Sequence, residues 1–562
     1  MIKNPVLTGF FPDPSILFHD GVFYIANSTF EYFPGVCVSA SRDLANWDTV
    51  AYPLAERRLL DMRGNPASAG VWAPCLTYSG GLFYLAYTDM KHWSHAAFKD
   101  SPNYITTAPD IRGPWSDPVY VNSSGFDPSI FHDDDGRKYF LNMEWDYRLK
   151  GDAQFAGILL TELDAETLAP ISEAVNIYRG TDRGQVEAPH LYKVGDYYYL
   201  LTAEGGTIYN HAETVARSKD IRGPYETHPG KHLVDASGAP DSPLQKTGHG
   251  SICQGPDGRW WFAFLMGRPL PQTKACPLGR ETGIAEIVWE DGWPRLKNGT
   301  TVPDEYFEGY GEPEEPSLAP GCEPDQGPGR GPDQKTGHEL DQKTGQELGQ
   351  VASGAIDYDF ASERFGLDFM CPRTEARYEL ADGALRLYGG DSPLSCFGQS
   401  MLVRRQCDFS FEFETALSLP FSHYGRMAGL LYRYDEDTQY FLRVACDERT
   451  GQQTLGILCF DKGEFSMPMA EAEIPVNGIA RLRLKMDGRY GFFSYSFDGD
   501  ADAAGGGSGE YRDIPYQLDA AKLSDEYASP LGFTGAFVGM CAVDLVDKKG
   551  YADFLYAKYR AL

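Results

Sequence analysis

A short pattern that recurs five times along the first half of the chain restricts its fold more than any other feature. Asp13-Pro14-Ser15-Ile16 returns as Ala73-Pro74-Cys75-Leu76, Asp127-Pro128-Ser129-Ile130, Ala188-Pro189-His190-Leu191 and His249-Gly250-Ser251-Ile252. An aromatic-rich run follows each copy: Val22–Ile25, Leu82–Leu85, Lys138–Leu141, Tyr197–Leu200 and Trp260–Ala263. Successive copies start 60, 54, 61 and 61 residues apart. A two-strand unit of this size cannot bury its apolar face alone. Five near-equal copies of it predict radial repetition, an all-β five-bladed β-propeller. Echoes between the copies, such as Ile111-Arg112-Gly113-Pro114-Trp115 and Ile221-Arg222-Gly223-Pro224-Tyr225, read as the turns and outer strands that complete a blade.

The repeats fill residues 1–302 of a 562-residue chain that is too long for one core. Composition changes over 303–352, where Glu, Pro, Gly, Asp and Gln dominate and the octapeptide Asp333–Leu340 nearly repeats as Asp341–Leu348. Such a segment buries little apolar surface, so it reads as an acidic linker or insertion. From 353 to 562 alternating strands resume without the propeller period, for example Phe409-Ser410-Phe411-Glu412-Phe413 and Phe493-Ser494-Tyr495-Ser496-Phe497. They predict a β-sandwich.

A formal charge of −30 argues against nucleic acid and anionic membrane as partners, since both need a basic footprint. A neutral sugar suits such a surface, and so does simple solubility. No apolar leader core precedes the first repeat and no long apolar run follows, so a cytoplasmic, non-membrane protein is expected. The 11 cysteines are scattered and never form a CxxC pair, which fits reduced thiols and no structural zinc.

The first strand of each propeller blade lines the central channel, so equivalent positions of different blades converge at one mouth. The register places Asp13, Asp127 and His249 in one slot, with Glu187 and Trp72 one residue earlier in their copies. Taken singly, Asp-Pro-Ser is also a capped turn that begins a strand. Three carboxylates from three blades instead suggest glycoside hydrolysis, which needs one acid for the leaving oxygen and one base for water.

These motifs resemble glycoside hydrolase family 43, and within it the two-domain β-xylosidases. The resemblance rests on Asn4–Ser15, Ser28–Gly35, Gly70–Pro74, Phe126–Ser129, Val186–His190, Gly248–Gly250 and Leu278–Thr282 in the propeller. Met427–Leu430 and Phe533–Gly539 extend it into the second domain. It implies an inverting exo-hydrolase releasing xylose from xylo-oligosaccharides, with α-L-arabinofuranosidase as a side or main activity. Asp13 would be the general base, Glu187 the general acid and Asp127 the residue that tunes it, the acid and base roughly 6.5–9.5 Å apart.

Sugar rings present C–H faces that pack on flat side chains; by the resemblance Phe30 and Trp72 would wall the nonreducing-end subsite and Trp145 would border the leaving-group side. Arg280 and Thr207 would bind hydroxyls, and Phe533 would close the pocket from the sandwich, unless the sandwich is an independent sugar-binding module. No cofactor is required. His249 either hydrogen-bonds the carboxylates or ligates a central calcium, although calcium prefers oxygen donors. The family also suggests a homodimer or homotetramer. Two other readings are a non-catalytic sugar-binding propeller and a retaining fructan- or sucrose-cleaving hydrolase. The first gains nothing from clustered acids. The second expects Asn-Asp-Pro where this chain has Pro12-Asp13-Pro14.

Overall fold

A computed structural model of the chain describes residues 1–94, 97–271, 273–310, 355–498 and 510–562. Residues 15–296 form five four-stranded antiparallel sheets, each built from one continuous stretch of chain. The innermost strands are Ser15–His19, Gly70–Ser79, Ser129–His132, Glu187–Val194 and Gln245–Gln254. Each follows or contains one copy of the repeat, so the five sheets are the blades of the expected propeller. Serines of the repeat staple neighbouring blades: the Ser251 hydroxyl accepts from the Ile16 amide at 2.8 Å, and Ser15 accepts from the Leu76 amide at 3.0 Å.

The ring closes without strand exchange inside a blade. Ile2–Lys3 instead pairs with Tyr306–Phe307, and the Asn4 side chain bonds the Ile284 and Asp304 carbonyls. The composition break at 303 therefore falls early. Residues up to 310 still belong to the propeller, because Phe307 supplies a buried ring beside Trp261. The tandem octapeptide lies outside the described residues.

The C-terminal part stacks two antiparallel sheets. One has eight strands, with Phe411–Ser418, Ala480–Asp487 and Tyr551–Ala561 at its centre; the other has seven, including Met401–Arg405, Arg426–Arg433 and Phe537–Asp544. This second sheet is covered on both sides. Along Phe537–Asp544, Val538, Met540 and Ala542 face the other sheet, while Phe537, Cys541 and Val543 join Phe10, Phe30 and Trp72 of the propeller. Strands buried on both faces read as continuous apolar runs, and all eight residues of Phe537–Asp544 are buried. Each large side chain in that contact contributes about 1.5–3 kcal/mol, so the two parts are held as one body.

Polar ties fix the register of the two parts. Cys371–Pro372 pairs with Tyr32–Phe33. Arg373, fully buried, donates to the Asn65 carbonyl at 2.5 Å and grips Glu436. Gly279 sits at φ 75° where a Cβ would lie 2.5 Å from the Thr534 carbonyl, so only glycine lets the sandwich loop approach there.

Candidate active site

All five repeat positions share a backbone conformation that the sequence pattern did not reveal. Asp13, Ala73, Asp127, Ala188 and His249 have φ between 41° and 56°, a left-handed region that costs non-glycine residues about 1–3 kcal/mol each. In three blades the ladder also slips here, between Trp72 and Cys75, Glu187 and His190, and Gly248 and Gly250. A regular strand would send adjacent side chains to opposite faces. The kink brings both to the mouth, so Trp72, Phe126 and Glu187 line the same cavity as Asp13, Asp127 and His249.

That cavity holds about 200 Å³. Its other walls include Phe30, Lys99, Phe155, Gln185, Thr207, Arg280 and, from the sandwich, Leu531 and Phe533. The segment before Asp13 is clamped: Asn27 donates to the Phe11 and Pro12 carbonyls, and the Gly9 amide bonds Glu281. Glu281 is itself paired with Arg268. Its neighbour Arg280 points the other way, into the cavity, as period-two alternation requires.

Asp13 is 4% exposed. It accepts from the Ser28 hydroxyl at 2.6 Å and from Arg280 Nη1 at 3.0 Å, with His249 Nδ1 3.5 Å away. Burial pushes its pKa up, but Arg280, His249 and Ser28 outweigh that and hold the carboxyl below its ordinary value. Among the described residues no such partner hydrogen-bonds the Glu187 carboxyl. Burial, then the negative charge of Asp13, raises it to about 8 against the pull of Arg280 and Lys99. Burial and the charges of Glu187 and Asp13 likewise raise Asp127, which accepts from the Ala188 amide at 3.2 Å. Asp127 thus fixes the peptide that carries Glu187.

Ser28 also accepts from the Ala73 amide at 2.7 Å, tying the kink of the second blade to Asp13. Ser28→Ala is expected to move the acidic limb of the pH–activity profile upward, because a hydrogen bond favouring the ionised carboxyl is lost. Steady-state rates between pH 3 and 7 would check it; an unmoved limb would contradict it.

Phe30, Trp72 and Phe533 form one aromatic wall, with ring centroids 5.6–6.1 Å apart. Phe533 is held by its own backbone: its amide donates to Ser68 at 3.1 Å and its carbonyl accepts from Arg280 Nη2 at 2.9 Å. Arg280 Nη1 also reaches Thr207 at 3.1 Å. Trp145 stands one layer behind the cavity lining. Phe155 and Lys99 stand in front of it, Phe155 at 5.4 Å between ring centroids and the Lys99 ammonium 4.4 Å above the indole. Lys99, Ser28, Phe126, Phe155 and Gln185 were not singled out from sequence. Lys99 and Gln185 lie on loops with no periodic signal, whereas Ser28 and Phe126 sit inside the quoted motifs.

His249 faces Asp13, with the buried His190 and His211 nearby, both pushed down to about 3 chiefly by burial. Among the described residues no three His, Cys, Asp or Glu side chains converge as a metal cage.

Comparison with known proteins agrees with this geometry. The profile described as glycosyl hydrolases family 43 matches residues 2–294, and that of the beta xylosidase C-terminal Concanavalin A-like domain matches 357–560. The chain is 42% identical to Xylosidase/arabinosidase 43B of Humicola insolens, covering 100% of this chain and 97% of the relative. It is 40% identical to a Beta-xylosidase of Bacillus subtilis, covering 100% and 99%. It superposes on a crystal structure of xylan beta-1,4-xylosidase from Bacillus halodurans with a TM-score of 0.86 at 41% identity, each chain covered in full. With kinked inner strands, clustered carboxyls and matches that span both domains, the chain belongs to glycosyl hydrolases family 43.

Proposed function

We propose that this chain is an exo-acting, inverting β-1,4-xylosidase that releases xylose from the nonreducing end of xylo-oligosaccharides, with α-L-arabinofuranosides as a second substrate class. One observation carries the reading: two buried carboxyls of one cavity are driven apart, Asp13 below its ordinary pKa and Glu187 up to about 8. At neutral pH the first is a base and the second an acid. Asp13 takes a proton from a water whose oxygen attacks the anomeric carbon. Glu187 gives its proton to the glycosidic oxygen as the C–O bond breaks. Xylose leaves with inverted configuration, and the two carboxyls then exchange a proton through solvent.

The wall of Phe30, Trp72 and Phe533 supplies flat faces for the terminal ring, and Arg280 and Thr207 supply hydroxyl partners. Closure by Phe533, which reaches in from the sandwich, favours attack at chain ends. The relatives named β-xylosidase and xylosidase/arabinosidase support the same choice of sugars. No step needs a metal. Among the described residues no helix is long and apolar enough to cross a membrane, and the free, mostly buried thiols fit a reducing cytoplasm.

Proton NMR of xylobiose hydrolysis tests the proposal. The first new anomer is expected to be α-xylose. Early β-xylose would overturn the roles of Asp13 and Glu187, and no xylose would make the arabinofuranosides the main substrates to assay.

A further inference from the structure

Two large aromatic side chains stand in water beside the cavity. Phe98 is 59% and Tyr147 50% exposed, yet their rings lie 4.7 Å apart at 36°. Neither contributes to a core. Phe98 adjoins Lys99, which lines the cavity, and Tyr147 is two residues beyond Trp145. Lys99 lies over Trp145, and Trp145 packs on Phe155, another lining residue. The Trp145 indole donates to the Ala97 carbonyl at 2.9 Å, locking the two rim segments together. The exposed pair thus sits on the same two rim segments as Lys99 and Trp145, next to the cavity wall. Lys99 feels the charge of Glu187, so the pair lies on the side of the acid that protonates the departing sugar. Polar groups flank it: Asp146 holds Arg148 at 2.8 Å, and Asp152 accepts from Gln185 at 3.0 Å.

Paired exposed rings rimmed by polar side chains mark a binding surface. Adjacency to the cavity, through Lys99 and the segment that carries Trp145, selects the substrate itself as the occupant. Xylose rings present apolar C–H faces that pack on flat side chains at little entropic cost. We propose that Phe98 and Tyr147 form a stacking platform for the third sugar ring of a xylo-oligosaccharide whose first ring fills the cavity and whose second passes Lys99. This rests on the glycosidase reading above and adds to it a preference for chains longer than xylobiose.

The test compares kcat/KM for xylobiose and xylotriose in the full-length wild type, Phe98→Ala, Tyr147→Ala, the double variant and Tyr147→Phe. The double variant should lose roughly three- to tenfold on xylotriose, the size of one or two ring contacts, mostly through KM. Xylobiose should be cleaved at the wild-type rate, and Tyr147→Phe should keep the wild-type ratio. An unchanged ratio in the double variant, or an equal fall on both substrates, overturns the platform. So does a change in sedimenting mass, which would make the pair a contact between copies. Failure of the wild type on xylobiose would instead overturn the xylosidase reading, and the platform with it.

Discussion

Asp13→Asn is expected to lower kcat/KM on xylobiose by roughly 10³–10⁴-fold, the upper end of what a positioned general base supplies, or about 4–5.5 kcal/mol of transition-state stabilisation. The amide keeps the size of the carboxyl and tolerates the left-handed backbone at φ 53°, but it cannot take a proton from water. Its closest hydrogen-bonding partner offers no substitute, since Arg280 is a donor only, and Glu187 is the opposing acid. Asp13→Ala should lose as much activity and also some stability, because Arg280, 3% exposed, would lose its carboxylate partner and keep hydrogen bonds to Thr207 and the Phe533 carbonyl. Steady-state rates with melting curves separate the two effects. A loss below tenfold in a folded Asp13→Asn would remove Asp13 from the base role.

The sequence carried the architecture well, for a physical reason. Each blade needs an inner strand entered through the same kink, and proline after the kinked residue leaves a mark that recurs with the blade. The same mark located Asp13 and Asp127, while His249, followed by Gly250, was placed by the 61-residue spacing. Glu187 and Trp72 could be placed only by register, and their convergence on the mouth depends on backbone slips that no residue pattern announces. How deep Trp145 sits was not legible either, because a tryptophan beside a site looks alike whether it lines the cavity or backs the layer in front, here Phe155 and Lys99. Lys99 and Gln185 enter from loops, where position follows tertiary packing rather than period. The segment 303–310 was assigned to the linker by its composition, although Phe307 completes a core begun at Ile2, some 300 residues earlier.

Glu187→Ala is expected to separate substrates by leaving group. On xylobiose, whose departing alkoxide needs a proton, kcat/KM should fall by roughly 10³-fold. On an aryl xyloside with a strongly acidic phenol the loss should stay within about tenfold, since that group departs with little help. Wild-type activity requires Glu187 protonated and Asp13 ionised. It should therefore be lost as pH rises through about 8, and again as pH falls through the depressed value of Asp13. Removing Glu187 should abolish the basic limb while leaving the acidic one. Lys99, pushed down to about 8 mainly by burial, is the other group able to produce a basic limb, and a limb that survives in Glu187→Ala would belong to it. Equal losses on both substrate classes would contradict the acid role, because a group that only shapes the pocket has no reason to distinguish a poor leaving group from a good one.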